Sequence, residues 1–230
     1  MKSPLEFRGF TPQTIQFLKD LKENNYKEWF EEHRNIYETE LLQPLKLLVE
    51  SLTPAMFSID ARFEFRSYKV LSRIYRDIRF SKDKSPYKSG MWISFNRPTK
   101  EWTDVPGYYF ELSADHCQYG MGLYMPKRKV MNILREEIEY NTESFMDMVQ
   151  PIIDKGFTVE GEMYSKPLKN HLGEDMQPWF QRKSIYFMKE IALTDAILFS
   201  EELSLKLIED FTSSTALYRL MMDVADEAKG

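Results

Sequence analysis

Apolar residues recur every three to four positions near both ends of the chain and every second position through its middle. Behind Thr11-Pro12, an N-cap and a first-turn proline, Ile15, Leu18 and Leu21 form a helical stripe with Phe17 beside them. The stripe runs to Asn24-Asn25, where asparagine's tolerance of left-handed backbone angles predicts a tight turn. A second helix is expected from about Tyr26, with Trp29, Phe30, His33, Tyr37 and Leu41 facing inward. Pro44 either kinks it or opens a new turn through Leu45, Leu48, Val49 and Leu52. Residues 62–68 alternate as a half-buried strand would, with Phe63 and Phe65 set against Arg62, Glu64 and Arg66. Three strands are expected at 91–96, 108–113 and 118–124, most economically as an antiparallel meander. In the middle one, Tyr108, Phe110 and Leu112 share one face, and Tyr109 and Glu111 the other.

Helical periodicity returns from Pro126 to Asn141 and again from 142 or 143 to Gly156. Residues 157–161 and 183–188 read as short strands and 170–177 as a loop. The stretch 200–228 is helical, with Thr212-Ser213-Ser214-Thr215 as a candidate break. Helices, a central sheet and helices again predict a single α+β domain over residues 1–230, its mostly antiparallel sheet flanked by N-terminal and C-terminal helices.

Composition narrows the class. A chain of 230 residues with 43% hydrophobic content can bury a large core without metal or disulfide. The net charge of -5 describes an ordinary acidic protein and excludes a bulk nucleic-acid binder. Cys117 stands alone, so no internal disulfide or zinc ribbon forms, and a cytoplasmic location is expected. Residues 1–9 carry no signal-peptide core, and no apolar run reaches the roughly 20 residues of a membrane span, so no membrane partner is expected.

Against that acidic background, residues 73–88 read R-I-Y-R-D-I-R-F-S-K-D-K-S-P-Y-K. Arg73, Arg76, Arg79, Lys82, Lys84 and Lys88 face only two acids, Asp77 and Asp83. A local excess of cations points to an anion held nearby or to paired internal carboxylates. The candidate ligand-binding residues are Arg76, Arg79, Lys82, Lys84 and Lys88, supported by Asp77, Ser81, Asp83 and Tyr87. Arginine suits forked recognition of phosphate, and lysine acts as a point charge. The partner expected is a phosphate-bearing small molecule or a nucleic-acid backbone. Trp29, Phe30, Phe80 and Tyr87 should be mostly buried and anchor this segment to the N-terminal helices. A further pair, Arg182-Lys183, reads as a solvated face.

Phosphate loops, HExxH, GxSxG, CxxC and kinase signatures are absent from the sequence. His33, His116 and His171 lie far apart, which disfavours a metal site, and no cofactor is expected. His33 reads as a packed or capping residue. Cys117 and His116, adjacent on a strand, point to opposite faces and are disfavoured as a nucleophilic pair. Two rival readings stay open. In one, the cations form a structural ion-pair network in a non-catalytic protein-interaction domain. In the other, Asp77 or Asp83 is the general base of a phosphoryl-transfer or hydrolytic enzyme, for which a carboxylate triad is lacking.

Three blocks, Asn24-Asn25-x-x-x-Trp29-Phe30, the run from Arg76-Asp77 through Arg79-Phe80-Ser81 and Asp83-Lys84 to Pro86-Tyr87-Lys88, and Pro106-Gly107-Tyr108-Tyr109, resemble a widespread bacterial and fungal family of domains of unknown function. Gly122, Pro126, Arg135 and Arg182-Lys183 are similar to its later blocks, and the resemblance spans about residues 10–211. It implies one intracellular domain of this length, and it carries no activity, substrate or catalytic residue to transfer.

Overall fold

The computed structural model describes residues 6–79 and 82–230. The expectations for Phe80 and Ser81 lie outside the described residues. The fold class is α+β. Its five-stranded sheet comprises β1 (Gly90–Phe95), β2 (Gly107–Ser113), β3 (Cys117–Leu123), β4 (Thr158–Glu160) and β5 (Ile185–Ile191), in the order β1-β2-β3-β5-β4. The chain divides into two compact units. One takes the described residues up to Ser94 with Tyr109–Gln118 and Glu190–Ile208; the other takes Phe95–Tyr108, Tyr119–Lys189 and Glu209–Gly230.

In the first unit, helix α1 (Pro12–Glu23) starts as expected: the Thr11 hydroxyl accepts from the Thr14 N–H, and the Thr14 hydroxyl accepts from the Thr11 N–H. Asn24 ends it at φ −117°, and no residue other than glycine takes a positive φ among those described. The left-handed turn expected at Asn24-Asn25 is therefore corrected; Asn25 serves a different purpose, described below. Helix α2 (Lys27–Glu32) leads through a short turn into a π-helical stretch, Tyr37–Leu42, and then α3 (Gln43–Ile59). Proline explains the widened turn. Pro44 has no N–H to give the Glu40 carbonyl four residues back, and that carbonyl accepts from the Thr14 hydroxyl at 2.7 Å instead.

The strand expected at 62–68 does not form. Local carboxylates take the backbone donors a ladder would need: Asp60 accepts from the Arg62 N–H, and Glu64 accepts from the N–H groups of Phe65 and Arg66. A helical turn, Ser67–Val70, follows. The alternation reflects packing of Phe63 and Phe65 against one another, not sheet pairing.

The meander is as expected. Gly90 faces Ser113, and Asn96, six residues on, faces Gly107, six residues back, so β1 and β2 run antiparallel in constant register. Tyr108, Phe110 and Leu112 are buried, while Tyr109 and Glu111 on the other face are half-buried.

The second unit packs α4 (Arg128–Tyr140), α5 (Thr142–Asp154) and the later helix α7 (Thr215–Glu227) by apolar stripes that include Leu134, Val149 and Met221. Helix α6 (Glu202–Ser213) ends at the Thr212–Thr215 break. Strand β5 is interior, pairing antiparallel with β4 so that Val159 faces Phe187. No helix among the described residues is long and apolar enough to cross a membrane.

Candidate functional site

The described residues of the segment 73–88 form neither a helix nor a free loop. Its two ends pair as strands do: Tyr75 bridges Tyr87, with the Arg76 N–H donating to the Pro86 carbonyl and the Lys88 N–H to the Ile74 carbonyl. Upstream, Leu71 bridges Ile93 of β1, and the Ser72 N–H donates to the Trp92 carbonyl. The segment is thus a hairpin hung on the outer edge of β1. Three of its six cations, Arg73, Arg76 and Lys88, stand on the paired arms, and Arg79, Lys82 and Lys84 on the turn between them.

Tyr87 anchors it. The ring is buried and stacks on Phe30 of α2 at 4.1 Å between centroids. Its backbone is clasped by the Asn25 amide, which accepts from the Tyr87 N–H and donates to the Tyr87 carbonyl, both at 3.0 Å. Two of the sequence blocks that resemble the family meet here. Trp29 is half-buried, not core, and its ring stacks on His33, whose Nδ1 lies 2.7 Å from the Trp29 carbonyl oxygen. His33 is therefore a packed residue, as the sequence suggests.

The cations divide into two groups. Arg79 forks onto Asp77 through Nε and Nη2 at 2.9 and 2.7 Å, and that guanidinium holds the Asp77 carboxyl down to about 2. A carboxylate so acidic is a poor proton acceptor near neutral pH. Lys84 Nζ donates to the Ile78 carbonyl, and Lys82 is exposed. Asp83 accepts from the Ser85 N–H, which lowers its pKa first, with Arg76 adding to the effect.

Arg76, Arg73 and Lys88 form the second group. Arg76 donates through Nε and Nη2 to the Tyr87 carbonyl, and Nη2 lies 3.1 Å from Asp83 Oδ2. Lys88 Nζ donates to the Arg73 carbonyl at 2.8 Å and sits 4.2 Å above the centre of the Trp92 ring. Burial, then the Arg76 and Arg73 guanidiniums, push the Lys88 amine below the ordinary lysine value. Among the described residues, no carboxylate lies within ion-pair distance of Arg73 or Lys88.

Trp92 and Arg73 are the residues that sequence reasoning left out of the site. The signal was present for Trp92: it is the outward position of a strand whose Met91, Ile93 and Phe95 are buried.

Elsewhere, the arginine of the Arg182-Lys183 pair is not solvated. Arg182 is buried and spends its guanidinium on the carbonyls of Pro178, Gly161 and Val159, each at 2.8 Å. Arg135, also buried, donates to the Phe180 and Arg182 carbonyls. Both are braces for irregular backbone. Burial raises the Cys117 thiol to about 12, which leaves it inert as a nucleophile. No group of three or more metal-ligating side chains occurs among the described residues.

A family described as conserved hypothetical protein (DUF2461) matches residues 13–219. No curated protein matches the chain.

Proposed function

The chain belongs to this conserved hypothetical protein family, and since that description names no activity, we propose from the geometry that it binds a phosphate-bearing ligand through the 73–88 hairpin. Arg73, Arg76 and Lys88 are the centre of the site, with Arg79, Lys82 and Lys84 on the turn beside them. Tyr87 holds the centre in place, and Asp77 and Asp83 belong to the same turn. The observation that carries this reading is the state of Lys88. Burial, and then two neighbouring guanidiniums, lower its affinity for its own proton, and among the described residues the one carboxylate paired with any of the three is Asp83. A doubly charged anion would relieve that repulsion, and lysine and arginine together supply both a point charge and a fork.

A purely structural role is favoured by a different observation. Arg76 already gives two donors to the Tyr87 carbonyl, and Arg79 is matched by Asp77. That reading makes the hairpin a brace in a protein-interaction domain. Calorimetric titration separates the two. Phosphate and pyrophosphate should bind wild-type protein, and Arg73→Gln and Lys88→Gln should each weaken binding at least severalfold while Lys82→Gln does so least. No heat of binding with either anion, in protein shown to be folded, would leave the structural reading.

A further inference from the structure

Given an anion at Arg73, Arg76 and Lys88, as proposed above, we infer that its chemical class is a nucleotide: a nucleobase against Trp92, with its phosphate on the cations. The register of β1 on β2 sets Trp92 directly opposite Glu111, and the hairpin from β2 to β3 sets Glu111 beside Gln118, whose Nε2 donates to Glu111 Oε2 at 2.8 Å. Trp92, Glu111 and Gln118 therefore follow one another in a single cross-strand row, and the Lys88 ammonium, 4.2 Å over the Trp92 ring, stands at its outer end. Neighbouring strands are about 4.8 Å apart, so the part of the row on three strands spans about 10 Å.

The chemistry of the row is ordered. At the sheet edge is an ammonium flanked by guanidiniums. Next comes an indole that is 38% exposed, although its strand neighbours on either side are buried. Beyond it lies the Glu111 carboxyl group, whose oxygens accept hydrogen bonds, with His116 Nε2 at 3.4 Å from the same oxygen. An inorganic anion would use the first of these and gain nothing from the others. A nucleotide uses all three. The phosphate is drawn to the cation end and repelled from Glu111, which fixes the ligand's direction along the row. An aromatic base lies against the indole, a sequence-tolerant contact because every base offers a π face. Glu111 then accepts from an exocyclic amino group, so adenine, guanine and cytosine are favoured over uracil and thymine.

Free nucleotides and single-stranded nucleic acid share this chemistry.

The test is a set of binding isotherms with phosphate, AMP, UMP, an eight-nucleotide single strand of deoxyadenosine and the matching duplex. Wild-type protein should bind AMP more tightly than phosphate and more tightly than UMP. Trp92→Ala should weaken AMP roughly five- to a hundredfold, the range that one base–aromatic stack supplies, and leave phosphate unchanged. Trp92→Phe, which keeps a ring, should retain most of the AMP affinity, so a loss in Trp92→Ala from misfolding is recognisable. Glu111→Gln should narrow the difference between AMP and UMP. A single strand tighter than AMP identifies polynucleotide as the source of the nucleotide; AMP at least as tight as the strand identifies a free nucleotide. Equal affinity for AMP and phosphate with no effect of Trp92→Ala would overturn the nucleotide class and leave anion binding standing. Duplex binding equal to the strand would also overturn it, since paired bases have no free face. Failure of every ligand to bind would remove the anion reading itself.

Discussion

The side-chain amide of Asn25 replaces a neighbouring strand for Tyr87, bonding both its N–H and its carbonyl at 3.0 Å. Residues 62 positions apart are thereby fixed to one another, and everything proposed for the cationic hairpin depends on that anchorage.

Asn25→Ala removes both bonds; the Tyr87 carbonyl keeps Arg76, and the part-buried Tyr87 N–H loses its acceptor. The expected cost is about 1–3 kcal/mol. Asn25→Asp should be intermediate, since a carboxylate still accepts from the Tyr87 N–H but gives nothing to its carbonyl. Urea unfolding of the two variants checks the order; an Asn25→Ala protein as stable as wild type would mean that the clasp is incidental.

Lys88 should give stability a signature at alkaline pH. Its folded pKa lies below the unfolded value, because burial and the neighbouring guanidiniums disfavour its charge. Between those two values the unfolded chain binds the extra proton, so stability rises with pH through that window. Lys88→Met should remove this slope, as seen by melting at a series of pH values up to about 10.4, the ordinary lysine value. Anion binding should raise the Lys88 pKa and draw in protons in the same window. Titrations in buffers of different ionisation heat would detect that uptake.

In the second unit, Asp210 is 1% exposed and accepts from the Tyr119 hydroxyl at 2.6 Å, with Lys189 Nζ at 3.6 Å and Lys155 Nζ at 3.8 Å. Asp210→Ala leaves the buried Tyr119 hydroxyl without its acceptor, while Lys155 keeps Glu209 and Lys189 keeps the Lys155 carbonyl, and should cost about 1–3 kcal/mol. Tyr119→Phe removes one hydrogen bond to a charged group and should cost about 1.5–3 kcal/mol. A double-mutant cycle between the two positions should show coupling, because both act on the same carboxylate. Independent effects would contradict the contact.

Much of the fold is legible in the sequence where one force dominates. The alternation of Tyr108, Phe110 and Leu112 reports burial of one sheet face, and the Thr11-Pro12 signal reports a helix start, because each is local and unopposed. Residues 62–68 misled because the same alternation arises when Asp60 and Glu64 cap their own neighbours' backbone. The location of the cationic hairpin was also readable. Its inner arrangement was not: charge counting cannot tell that Arg79 folds back onto Asp77 while Lys88 reaches over Trp92. Arg182 escaped for the same reason, since its partners are main-chain carbonyls that leave no trace in side-chain chemistry.

The central claim is that the hairpin cations repel one another until an anion arrives, and thermal unfolding of Arg76→Gln, Arg79→Gln, Lys84→Gln and Lys88→Gln, each with and without pyrophosphate, tests it most directly. Wild-type protein should gain stability with pyrophosphate as RT ln(1 + [L]/Kd). Lys88→Gln should melt at or above the wild-type temperature without ligand and lose most of the gain with it. Arg76→Gln should lose the gain too, at some cost in stability from its bonds to Tyr87. Arg79→Gln and Lys84→Gln should change both least. No pyrophosphate effect on wild type, with all four variants strongly destabilised, would contradict the account and make the hairpin a structural brace.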